Sequence, residues 1–194
     1  VVTAGEKVRS LNKPMMVTEE QFDSLLKAIR QFGHPVLLSE AVRNIRQGDD
    51  FRPGTVALTF DDGYYDFYLR ALPLLREYRT PATLFLTTGV IGHRNEYLWW
   101  DEFDYYASVC HERPCQVRED ASPELQYALR LIERLPNNRT EVVEAQIRDA
   151  LNRVTPAERN SFIARIRAEV AVNEPRPSLM LTWDNVREIS GYVE

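Results

Sequence analysis

Asp61 and Asp62 stand side by side in Thr59-Phe60-Asp61-Asp62-Gly63, at the end of an apolar run. Two adjacent carboxylates oppose each other's ionisation unless a cation lies beside them. A divalent metal relieves one, and a nearby Arg or Lys can relieve the other. Such a pair can divide two tasks, an oxygen ligand for an ion and a base that takes a proton from water. Gly63 permits a backbone turn that a side chain would resist. Taken as three letters, Asp-Asp-Gly is also simply a polar turn after a strand, so the surrounding elements carry the weight.

Thr55–Phe60 is β-branched and nearly all apolar, the pattern of a strand covered on both faces. Its carboxyl end would deliver both aspartates to the rim where parallel α/β folds place their active sites. A helix through Leu72, Leu75 and Tyr78 comes next, with Pro73 suited to its first turn, and then a second covered strand, Ala82–Leu86. Strand, helix, strand over about thirty residues is a βαβ unit with parallel strands. Upstream, Thr18-Glu19-Glu20-Gln21 is a capping box for a helix carrying Phe22, Leu25, Leu26 and Ile29, ended by Gly33. Val36–Leu38 reads as a short strand, and Ser39 as the cap of a second helix with Ala41, Val42 and Ile45. A polar linker, 48–54, precedes the Thr55 strand.

Beyond residue 93 the periodicity turns helical. Trp99-Trp100-Asp101-Glu102-Phe103 opens one helix. Ser122-Pro123 starts another with Leu125, Ala128, Leu129 and Ile132 inside, stopped by Pro136. Asn138 or Thr140 starts a third, with Val143, Ile147, Ala150, Leu151 and Val154 on one face. Thr155-Pro156-Ala157-Glu158 is a capping box for a fourth, with Phe162, Ile163 and Ile166 inside. Thr182 caps a short helix through Val186 and Ile189, ended by Gly191, and Tyr192-Val193-Glu194 reads as the start of another strand. The expectation is an α/β fold with a helical insertion, 93–180, between two strands.

The 194 residues suffice for one domain, or one domain with an inserted piece. A net charge of -5 with mixed signs argues against nucleic acid as a partner. No segment approaches the roughly 18 apolar residues of a membrane span, and no charged-then-apolar leader precedes Val1. Cys110 and Cys115 read as free thiols or a local disulfide, because a closed zinc site needs four ligands and none lies nearby.

The ordered motifs resemble those of the NodB-type polysaccharide deacetylases, carbohydrate esterase family 4. Thr59–Gly63 is similar to the family's first motif, Val17–Phe22 to its lead-in helix, and Ala71–Leu75 to its first barrel helix. Thr80–Phe85 is similar to its second strand, Trp99–Glu102 to a segment of some bacterial members, and Leu181–Arg187 to the helix before its metal-binding histidines. The likeness covers 17–100 and 180–194. It implies a partial distorted (β/α) barrel, with 1–92 its N-terminal part, 93–180 the insertion and 181–194 the return to the barrel. It also implies hydrolytic release of acetyl groups from an acetylated polysaccharide or oligosaccharide, in the cell envelope or outside the cell. Asp61 would be the general base and Asp62 a ligand of a zinc-type divalent ion. The family's remaining ligands come from a His-x-x-x-His motif expected after Glu194. His34, His93 and His111 lack that spacing and are read as surface or loop residues. The chain is therefore expected to hold catalytic metal poorly by itself.

Two other readings stay open on the residues alone. One is a non-catalytic carbohydrate-binding protein that retains only the first motif. The other is a glycoside hydrolase, which needs a second acid about 5–10 Å from the first across a cleft, and the sequence names none. Tyr64, Tyr65, Tyr68, Trp99 and Trp100 could stack on sugar rings or fill space between helices and sheet. Phe67 reads as core, and Asp101 and Glu102 as a solvated helix start favoured by the helix dipole.

Overall fold

Capping and apolar spacing set the first helix, and a parallel ladder sets the strands after it. The computed structural model describes residues 2–3, 16–93, 97–110, 121–138, 141–170 and 179–194. β1 (Val2–Thr3) pairs in parallel with β2 (Val17–Thr18). α1 (Glu19–Phe32) begins at a full capping box, in which Gln21 N–H donates to Thr18 Oγ1 and Thr18 N–H to Gln21 Oε1. Phe22, Leu26 and Ile29 are buried at helical spacing, while Leu25 remains about half exposed. β3 (His34–Val36), β4 (Thr55–Phe60) and β5 (Ala82–Leu84) form a parallel sheet in chain order. α2 (Leu38–Gln47) connects the first two strands. A π-helical turn, Phe67–Ala71, and α3 (Leu72–Glu77) connect the second two. Pro73 lies at the start of α3 directly after the π-helical turn, so it stands inside a continuous helical path and its missing N–H interrupts the backbone ladder there.

The sheet and its first connection depart from the sequence expectation in four places. β3 lies at 34–36 rather than 36–38 and contains Pro35, tolerated because β3 has a partner on one side only among the described residues. Ser39 does not cap α2. The helix starts at Leu38 after Leu37, which makes no side-chain cap bond, and the Ser39 hydroxyl donates to Glu194 Oε2 at 2.5 Å instead. β4 is not covered on both faces. Its residues are half-buried and Thr59 is exposed. β5 stops at Leu84, two residues early, and Phe85 N–H donates to Phe60 O at 2.8 Å just past it.

The remaining elements are α4 (Trp99–Cys110), α5 (Pro123–Asn138), α6 (Glu141–Arg153), α7 (Pro156–Val170) and α8 (Trp183–Ile189). The described residues divide into two compact units. One lies within Met15–Glu96 and Arg176–Glu194, joined by Val2–Thr3, and the other within Tyr97–Pro175. In the first, α8 starts at a capping box between Thr182 and Asn185. The chain then reaches Glu194, whose N–H donates to Ala82 O at 3.1 Å and whose carbonyl accepts from Leu84 N–H at 2.7 Å. Those two bonds are one rung of a parallel ladder on the outer side of β5.

The second unit has its own core, in which Phe103, Leu125, Leu129, Ile147, Leu151 and Phe162 are all buried. Ser122 caps α5, accepting from Leu125 N–H at 3.4 Å, and Thr155 and Glu158 form the capping box of α7. Pro136 does not stop α5, which runs on to Asn138. A proline in the last turn removes one backbone hydrogen bond, and only two residues follow it in the helix. Thr140, Cys115, His111 and the side chains of Ile132 and Cys110 lie outside what is described.

Candidate active site

β4 is placed by its two ladders, with Thr55 opposite His34 in β3 and Phe60 opposite Leu84 in β5. Phe60 is anchored on its core side by rings. Its centroid lies 4.8 Å from Phe67 and 5.8 Å from Phe22, both edge-on. Phe67 is therefore core, as its place in the sequence suggested. The strand's end is fixed from below, and the next residue enters the rim.

There the chain turns sharply. Gly63 N–H donates to Asp61 O at 2.9 Å, closing a three-residue turn about Asp62. Asp62 carries φ 71°, a left-handed value that belongs to the rarer, strained form of γ-turn. Aspartate is among the side-chained residues found most often at positive φ. The turn reverses the carboxylate's course, so strand alternation does not decide where Asp62 lies. Gly63 comes next at φ 82°, buried, and a Cβ there would meet Ile91 Cδ1 and Leu86 Cδ2 at 2.7 Å.

The two acids have different surroundings. Asp61 is exposed. Asp62 is half-buried and tied twice to Thr87, whose N–H donates to Asp62 O and whose hydroxyl donates to Asp62 Oδ1, each at 3.2 Å. A second strap lies against the turn. Leu181 N–H donates to Gly63 O at 2.9 Å, Tyr65 N–H to Leu179 O at 2.7 Å, and Gly92 N–H to Leu181 O at 3.0 Å. Tyr64 and Met180 form an antiparallel bridge there. Gly92, at φ 79°, leaves room for the Trp183 indole, since a Cβ would meet Trp183 Cδ1 at 2.8 Å.

The histidines do not join this rim. His34 is a strand residue, half-buried, rather than a surface or loop residue. It pairs with Thr55 at the opposite end of β4, about 17 Å from Phe60 at the rise of a strand. His93 is exposed in the turn after Val90, to whose carbonyl its N–H donates at 3.3 Å. Among the described residues no three His, Cys, Asp or Glu side chains gather as a metal site. Asp62 offers one carboxylate, whereas a catalytic zinc takes three protein ligands and a water. The described residues therefore do not form a complete site for such an ion.

Most of the candidate aromatic residues are committed to protein contacts. Tyr65 and Tyr68 stack at 5.7 Å with 15° between their planes. The Tyr68 hydroxyl donates to Glu188 Oε2 at 2.7 Å, and this bond to a carboxylate, with burial second, pushes the phenol above its ordinary pKa. In the helical unit, Trp99 packs on the buried cluster, with the Arg159 guanidinium 4.1 Å above its ring and Trp100 edge-on at 5.4 Å. Glu102 is not a solvated helix start. It is buried and ion-paired with Arg167, because the first turn of α4 faces α7. The residues missed in the sequence were Thr87 and the 179–181 strap. A signal for Thr87 existed, since in parallel strands the position just past the second strand adjoins the position just past the first. For the strap there was none, because antiparallel pairing across more than a hundred residues has no local pattern.

Residues 48–119 match the family model for polysaccharide deacetylases. The provisionally named polysaccharide deacetylase YxkH of Bacillus subtilis (strain 168) is 32% identical over 87 residues, which are 44% of this chain and 31% of YxkH. The poly-beta-1,6-N-acetyl-D-glucosamine N-deacetylase of Staphylococcus aureus (strain MSSA476) is 30% identical over 83 residues, 43% of this chain and 29% of that enzyme. The matched stretch thus spans less than a third of either relative. Among solved structures, the Streptococcus pyogenes deacetylase PplD in complex with acetate superposes with a TM-score of 0.41 at 19% identity, over 86% of this chain and 76% of that one.

Proposed function

We propose, from the match of residues 48–119 to the polysaccharide deacetylase family model, that the protein takes part in hydrolytic removal of acetyl groups from an N-acetylated polysaccharide. Polymers of N-acetylglucosamine are the substrate class, in keeping with the activity for which the Staphylococcus aureus relative is named. The observation that carries the reading is the pair Asp61 and Asp62 at the carboxyl end of β4, with Asp62 half-buried and bonded to Thr87 while Asp61 stays open to solvent.

Asp61 is the general base. An exposed carboxylate at a sheet rim can accept the proton of an attacking water, a role worth roughly 10²–10⁴ in rate when the geometry is right. Asp62 is the metal ligand. A zinc-type ion bound there would supply an activated water and polarise the acetyl carbonyl, and Asp62 would be one of its ligands. In this reading the parallel sheet is part of a distorted (β/α) barrel, and the rung made by Glu194 is its next strand position. The stretch 93–180, which contains α4 to α7, is a helical insertion between β5 and α8.

The test is acetate release from an N-acetylglucosamine polymer by the full-length protein. Asp61→Asn is expected to lower the rate by at least about 100-fold with an unchanged melting temperature. No acetate release by the wild type, or an undiminished rate in Asp61→Asn, removes the proposal.

A further inference from the structure

We propose that Thr87 is a positioning residue that sets the rotamer of the Asp62 carboxylate; the inference rests on the deacetylase reading of the rim only for what that carboxylate does. Among the described residues, Thr87 is the sole hydrogen-bond partner of the Asp62 side chain. The left-handed turn fixes the Asp62 backbone, since Gly63 N–H closes on Asp61 O and Thr87 N–H holds Asp62 O. Backbone fixation leaves the side-chain torsion undecided, because more than one staggered rotamer is open to an aspartate beside solvent. The Thr87 hydroxyl selects among them by donating to Oδ1 at 3.2 Å. That leaves Oδ2 as the oxygen without a protein partner among the described residues, available to a cation or to water.

The bond is long for an O–H···O contact, so its role is orientation rather than tight binding. Threonine suits it twice over. Its β-branched side chain has restricted torsional freedom, which aims the hydroxyl, and its backbone N–H engages the same residue. A serine would keep the donor with less restraint. A valine would keep the shape and the backbone bond and lose only the donor.

Two measurements on the full-length protein decide the matter. Three-bond couplings by NMR report the Asp62 side-chain torsion directly. A single rotamer is expected in the wild type, averaging over rotamers in Thr87→Val, and a single rotamer again in Thr87→Ser. An Asp62 torsion that is the same in the wild type and Thr87→Val overturns the proposal, whatever the activity. For acetate release, Thr87→Val should lower kcat about fivefold with KM little changed, and Thr87→Ser should recover most of it. Loss through KM, or no rescue by serine, shows that Thr87 acts by packing and also overturns the proposal. If the wild type releases no acetate, the family activity fails for this chain, while the couplings still decide whether Thr87 orients Asp62.

Discussion

Gly63 carries two demands that no other residue meets. Its φ of 82° costs a side-chained residue roughly 1–2 kcal/mol. A methyl group there would also press into Ile91 and Leu86 at 2.7 Å, and Ile91 is fully buried with no space to retreat. Overpacking of that kind costs about 1–3 kcal/mol. Gly63→Ala is accordingly expected to destabilise the α/β unit by about 2–4 kcal/mol, read from urea unfolding. A loss well below about 1 kcal/mol would mean that the turn is looser than described. The neighbouring Asp62 shows what sequence can and cannot give at this scale. The Asp-Asp-Gly letters announce a turn. That the second aspartate, as well as the glycine, takes the left-handed region goes with its bonds to Thr87, far away in sequence.

At the scale of elements, α1 is bound to the βαβ unit by ion pairs and phenol contacts as well as apolar burial. The Tyr78 hydroxyl, at the end of α3, donates to Asp23 Oδ1 at 2.5 Å, and Lys27 Nζ donates to Asp23 Oδ2 at 2.6 Å. Glu19 pairs with Arg70 across the same interval. The Lys27 bond first, and the Tyr78 bond second, hold the Asp23 carboxyl below its ordinary pKa. The same contact raises the Tyr78 phenol. A depressed carboxyl adds stability that is present above the unfolded value near 4 and is lost as pH falls through the folded one. Tyr78→Phe should therefore lower the melting temperature at pH near 7, and the gap to wild type should narrow below pH near 4 as Asp23 takes up its proton. Equal gaps at both pH values would show that the charge of Asp23 is not what the hydroxyl engages.

At the scale of the molecule, the described residues form two compact units, and the helical one has a core drawn entirely from its own helices and their caps. Leu151 is fully enclosed within it. Leu151→Ala should cost that unit about 2–5 kcal/mol, the range for a buried leucine truncated to alanine. Hydrogen exchange is the appropriate measurement, since local stability is not uniform across a structure. Amides of α5, α6 and α7 should exchange faster while those of β4 and β5 keep their protection. Uniform acceleration through both units would mean that they unfold as one.

Helix starts were the most legible part of the chain. Thr18, Ser122, Thr155 and Thr182 each cap the helix their spacing announced, because a cap is a contact between residues three apart and sequence holds it whole. Thr55–Phe60 was legible for the same reason, as a β-branched run between turn residues. Ser39, Pro136 and Glu102 run against their local signals because each is decided by something distant or by position along an element. Ser39 is drawn to Glu194 and Glu102 to Arg167, while Pro136 falls too near a helix end to break it. Local sequence determined that an acidic pair ends a β-branched strand, and with it the resemblance to a family of deacetylases. Tertiary structure decided which of the two acids is held against Thr87 and which stays open to water. The cause is that a hydrogen bond between residues 25 apart depends on strand register, and register is a property of the assembled sheet.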